Sequence, residues 1–198
     1  MKKIYLSLIL AAASLTLGDC ESETEIPGDN EETTEDSLEH DEWEVAYAFD
    51  YDDIAEWNPM ITPSGEIDEG KVIDLSDEGE YVTIQAGESG FGGLQTPALE
   101  VDMTRNPMLL TRVHESDDAF QWGSKVILSD LVGEDWGLYL INDNNMKWNH
   151  YAGARIDEAI GPIYNDYGDI LDLHFWFYPT GGEEATVQLT SVYIVYLD

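Results

Sequence analysis

Leu173-His174-Phe175-Trp176-Phe177-Tyr178, the turn text Pro179-Thr180-Gly181-Gly182, and then Ala185-Thr186-Val187-Gln188-Leu189-Thr190-Ser191-Val192-Tyr193-Ile194 decide how this chain folds. Side chains of an extended strand point alternately to opposite sides. Leu173, Phe175 and Phe177 therefore share one face, and His174, Trp176 and Tyr178 share the other. Val187 and Leu189 repeat the pattern after a glycine pair that breaks the run. Two consecutive strands, each with one strongly apolar face, call for a second sheet to cover them.

Working outward, the same grammar recurs from Trp43 to the end of the chain. Short runs rich in Val, Ile, Tyr, Trp and Leu are divided by Gly, Pro, Asn and Asp clusters. The expected strands are Glu44–Asp50, Lys71–Leu75, Tyr81–Ala86, Met108–His114, Gly123–Leu128, Gly137–Ile141, Trp148–Arg155, Ile170–Tyr178 and Ala185–Tyr196. No stretch of helical length carries apolar residues at i, i+3, i+4 and i+7 with caps, and Ile156–Ile160 supports at most one turn. The fold class is all-β: a two-sheet antiparallel β-sandwich, with a jelly roll as the favoured topology. Alternation also orients individual side chains. Val82, Ile84 and Ala86 face inward while Tyr81, Thr83 and Gln85 face out. Arg112 lies opposite the more β-branched side of its strand, Lys125 shares a face with Gly123 and Ile127, and Tyr139 shares one with Gly137 and Ile141.

Ahead of the strands stand two segments of different character. Residues 1–20 open with Lys2 and Lys3, continue as an apolar run from Ile4 to Leu17, and end in Gly18-Asp19-Cys20, a signal-peptide pattern too short for a membrane span. Residues 21–42 are Glu, Asp, Thr and Ser around Pro27 and Gly28, without the apolar side chains needed to offset ordering entropy. They read as an acidic disordered tether. The domain proper is 43–198. Cys20 is the single cysteine, so no internal disulfide forms. Its setting resembles a bacterial lipobox, with Asp19 departing from the small residue usual there. That implies lipidation of Cys20 and anchorage at the outer membrane or cell surface; ordinary cleavage after Gly18, giving a secreted protein, is the competing reading.

Forty-two acidic side chains against 8 basic ones give a formal charge of -34. Nucleic acid is a poor partner for such a surface, which lacks the Lys and Arg clusters that phosphate demands. Anionic polysaccharides are disfavoured for the same reason unless calcium bridges them. Gly87-Glu88-Ser89-Gly90-Phe91 fails as a nucleophile elbow because its fifth position is not glycine. His40, His114, His150 and His174 show no helical zinc spacing. Glu66-Ile67-Asp68 begins an E-x-D-x-x-E pattern but lacks the third acid, so the chain is expected not to be an enzyme. No cofactor is required. A structural calcium ion is the one metal considered, on Asp50 and Asp52 from one side of an extended segment and Asp198 from the end of the last strand.

The closing segment quoted above resembles the final hairpin of galactose-binding-like jelly rolls, a group that includes many carbohydrate-binding modules. Ala48-Phe49-Asp50-Tyr51-Asp52 with Trp57 is similar to their first strand and loop. The resemblance spans Glu44–Asp198 and implies a sugar site on the concave face or in the loops, for a neutral polysaccharide or oligosaccharide. Sugars need an aromatic plane for their C–H faces and polar groups for their hydroxyls. Trp176, His174, Tyr139, Gln85, Arg112 and Lys125 supply both if their strands are neighbours on one sheet face. The competing reading packs Trp176 under a loop and pairs the cations with carboxylates. A second function class, a sandwich that docks a surface protein partner rather than a sugar, has the same sequence profile.

Overall fold

The computed structural model describes residues 43–63, 71–75, 80–87, 92–116, 121–143, 150–164 and 167–198. The signal-peptide, tether and Cys20 readings lie outside the described residues, as do Glu66-Ile67-Asp68 and most of Gly87–Phe91. In chain order the strands are β1 (Glu44–Asp50), β2 (Asn58–Pro59), β3 (Lys71–Leu75), β4 (Val82–Gln85), β5 (Leu94–Gln95), β6 (Leu99–Asp102), β7 (Pro107–Ser116), β8 (Gln121–Leu128), β9 (Leu138–Asp143), β10 (His150–Arg155), β11 (Ile170–Thr180) and β12 (Thr186–Tyr196). The helices are α1 (Tyr51–Ala55) and α2 (Ile156–Tyr164).

These strands form a two-sheet antiparallel β-sandwich. One sheet runs β10-β7-β12-β4-β3, and β1 also pairs with β12. The other runs β2-β5-β11-β8-β9, and β6 also pairs with β11. β12 is the spine of the first sheet: β7 lines one flank, while β4 and β1 take successive halves of the other, at Thr186–Leu189 and Ser191–Tyr196. β11 has the same role in the second sheet, with β8 on one flank and β6 and β5 end to end on the other.

The closing pair is therefore not a hydrogen-bonded hairpin. β11 and β12 belong to opposite sheets, and the connection through Gly181, whose φ is +119°, carries the chain across the sandwich. Each strand has an apolar face of its own. Stacking Leu173, Phe175 and Phe177 against Val187, Leu189, Val192 and Ile194 buries both, where side-by-side pairing would leave both needing a further cover. All seven are at most 1% exposed and belong to one core cluster.

Two helices add side chains to this core. α2 is longer than the single turn expected, because Ile156 and Ile160, one helical turn apart, both reach zero exposure in the core. α1 inserts Ile54. Its N-cap is Asp50, whose Oδ1 accepts from the backbone N–H groups of Asp52 and Asp53, while Asp53 returns the bond to the Asp50 N–H. That is a reciprocal capping box with aspartate at both positions.

Candidate functional site

The outer face of the β11 sheet is not open. Met60, Ile127, Trp176 and Tyr178 form a second buried cluster there, with Leu131 and Val132 packed on it. Two segments make the cover. One is the chain leaving β2, pinned where the Met60 N–H donates to the Gly93 carbonyl at 3.0 Å and the Ile61 N–H to Gln95 Oε1 at 3.2 Å. The other is the β8–β9 connection, whose Ser129–Leu131 turn is tied by bonds from the Glu134 and Asp135 N–H groups to the Leu131 carbonyl. Gly93, which anchors the first segment, is itself pressed onto β11: a Cβ there would stand 2.0 Å from the Phe177 carbonyl oxygen.

Trp176 was expected to present a solvent-facing plane, and this cover removes it. Alternation placed the residue on the correct side of its strand, yet it is 0% exposed. His174 is spent in a similar way, since its Nδ1–H donates to the Thr96 carbonyl at 2.7 Å and so helps dock the segment before β6. Nor do the six candidate sugar contacts share a surface. Lys125, Tyr139, His174 and Trp176 belong to the β11 sheet. Gln85 on β4 and Arg112 on β7 lie on the outer face of the β12 sheet, opposite the buried Ile84 and Val113. Arg112 stands 5.8 Å from the Tyr151 ring on that far side.

The β9 edge of the β11 sheet is exposed. Lys125 is flanked in register by Trp176 on β11 and by Tyr139 on β9. The register then slips: Lys125 faces Tyr139 and Ser124 faces Ile141, leaving Leu140 as an extra residue. This bulge is why Tyr139 and Ile141 do not share a face as simple alternation required. Ile141 joins the core, and Tyr139 points outward at 64% exposure. Trp136, at the end of the β8–β9 connection, stands beside it at 47%. Sequence reasoning passed over Trp136, which sits in the turn text Gly133-Glu134-Asp135-Trp136-Gly137, where no alternation assigns a face. The signal available was the tryptophan itself, a costly side chain in a loop of small and acidic residues.

Lys125 lies beneath this pair. It is 5% exposed, its Nζ donates to the Trp136 carbonyl at 3.0 Å, and it stands 4.4 Å from the Tyr139 ring centroid and 5.7 Å from that of Trp136. Burial pulls its pKa below the usual lysine range, with the nearby Asp135 carboxylate opposing the shift. Burial likewise drives the Tyr178 phenol upward. The Trp136 N–H donates to Asp135 Oδ1 at 2.6 Å, and Gly137 follows with φ +62°, where a Cβ would meet the Val126 carbonyl at 2.8 Å. The loop is thus pressed against β8 at the point where Lys125 emerges.

The three aspartates considered for calcium are not brought together. Asp50 is consumed by the α1 cap. Asp198 accepts from the Arg105 guanidinium, which also reaches Glu44 Oε2 at 2.9 Å. β1 and β12 run antiparallel with Asp50 opposite Ser191 and Glu44 opposite Tyr196, so Asp198 lies roughly 20 Å from Asp50 along the ladder. Among the described residues no group of three or more His, Cys, Asp or Glu side chains converges. No family model, curated protein or solved structure matches the chain.

Proposed function

We propose that this domain is a non-catalytic glycan-binding module of the galactose-binding-like jelly-roll type. It is exported, held at the cell surface through a lipid on Cys20, and takes a neutral polysaccharide or oligosaccharide against Trp136 and Tyr139. The observation that carries the reading is the exposure of these two large rings, 47% and 64%, at one sheet edge. Two aromatic faces beside polar loop atoms meet the double requirement of a sugar, stacking for its C–H face and hydrogen bonds for its hydroxyls. The net charge of -34 favours an uncharged ligand over an anionic one.

Affinity electrophoresis through gels containing β-glucan, xylan, galactomannan or starch tests the proposal. The protein is expected to be retarded in at least one. The Trp136→Ala/Tyr139→Ala variant should migrate as in a blank gel while still melting cooperatively, since neither side chain belongs to the sandwich core. Free migration of the unaltered protein through all four gels overturns the reading.

A further inference from the structure

Lys125 is an expensive residue for its position. Its neighbours across the sheet are Trp176 and Tyr139, and the cluster beside it is Met60, Ile127, Trp176 and Tyr178. Removing an ammonium from water is costly unless it is paired. Arg105 and Arg155, by contrast, hold carboxylates at the surface. Among the described residues Lys125 forms no such salt bridge: the Asp135 carboxylate acts on its charge from nearby, and its direct contacts are one backbone carbonyl and two aromatic rings. A methionine of similar length would fill the same space without the desolvation cost, so the charge calls for a reason of its own.

The rings supply that reason. An aromatic ring has two faces, and a cation on one of them is attracted by the ring quadrupole. Tyr139 is largely open to solvent while Lys125 is buried, so the ammonium occupies the inward face and leaves the outward face free. The same Nζ holds the Trp136 carbonyl at 3.0 Å, fixing the backbone that carries the second ring. One group therefore touches both an edge-strand tyrosine and a loop tryptophan. Side chains already ordered before a ligand arrives spare the cost of immobilising them on binding.

We propose that Lys125 is the positioning residue of the Trp136–Tyr139 surface, its buried ammonium holding both rings from behind so that they meet a sugar as one pre-set platform. This rests on the glycan reading above and deepens it: the lysine touches the rings, and the rings touch the sugar.

The test is Lys125→Met, which keeps the length and removes the charge and the donor, read in three ways. The melting temperature should stay level or rise, because a buried charge is replaced by an apolar chain. The near-ultraviolet circular dichroism of Trp136, taken as the difference from Trp136→Phe in each background, should collapse as the ring loses its fixed setting. Retardation in whichever of the four polysaccharide gels holds the unaltered protein should weaken on the order of tenfold, matching two side chains that must now be ordered on binding. A purely space-filling lysine would move the first readout and leave the other two alone. An unchanged Trp136 signal together with unchanged retardation overturns the proposal. If no gel retards the unaltered protein while the Trp136 signal still collapses, the positioning role stands and the sugar reading falls.

Discussion

Trp176 and Tyr139 flank Lys125 on neighbouring strands, one wholly buried and the other largely open, and the contrast shows what alternation can and cannot deliver. It gave the side of the strand correctly for Trp176, Gln85 and Arg112. It could not reveal that residues from the β2 exit and the β8–β9 connection roof over Trp176, because that is a long-range packing fact. Nor could it place Leu140 as a bulge, which adds one residue without any change in composition. Two outcomes follow at this scale. Trp176→Ala should cost about 3–5 kcal/mol in urea denaturation, the range for emptying a large aromatic site, where an exposed tryptophan would cost almost nothing. Gln85→Ala and Arg112→Ala should leave glycan retention as it is, since both residues face away on the other sheet; weakened retention in either would place the sugar on the wrong surface here.

At the scale of elements, the long strands were legible because eight to eleven residues of alternating or apolar text outweigh local accidents, as in β8, β11 and β12. β2 and β5 have two residues each, too few for a period to show. α2 escaped because Gly161 and Pro162 argue against a helix, while the packing of Ile156 and Ile160 outweighs them. α1 was legible in principle: Asp50-Tyr51-Asp52-Asp53 is a capping-box text, although Asp50 and Asp52 also read as oxygen ligands for a metal. Asp50→Ala should therefore destabilise by about 1 kcal/mol, the usual worth of an N-cap, and added calcium should not alter the difference in thermal melts. A calcium-dependent gap would reinstate the metal. Gly93→Ala should be the harsher change, losing at least about 2 kcal/mol because its new methyl group meets backbone and not a movable side chain.

For the molecule as a whole, charge dominates the response to conditions. Contracting the Debye length from about 30 Å to about 3 Å, by moving from dilute to molar salt, should raise the melting temperature of a chain with net charge -34. Acid acts on a specific pair. Arg105 holds the Asp198 carboxyl below its ordinary value of 3.8, so the folded state takes up a proton less readily than the unfolded one. The contribution is complete above that ordinary value and disappears as pH falls through the lower folded-state value. Urea stability of the protein and of Arg105→Met should differ at neutral pH and draw together as the pH falls through that lower folded-state value. The same guanidinium binds Glu44 at the start of β1 and Asp198 beyond the end of β12, and it lies 4.3 Å from the Tyr196 ring. First and last strands of the sandwich thus begin and finish one strand-width apart. With residues 1–42 removed, a short linker could seal them into a ring, and a chain reopened between β7 and β8 could keep the sheet neighbours described above.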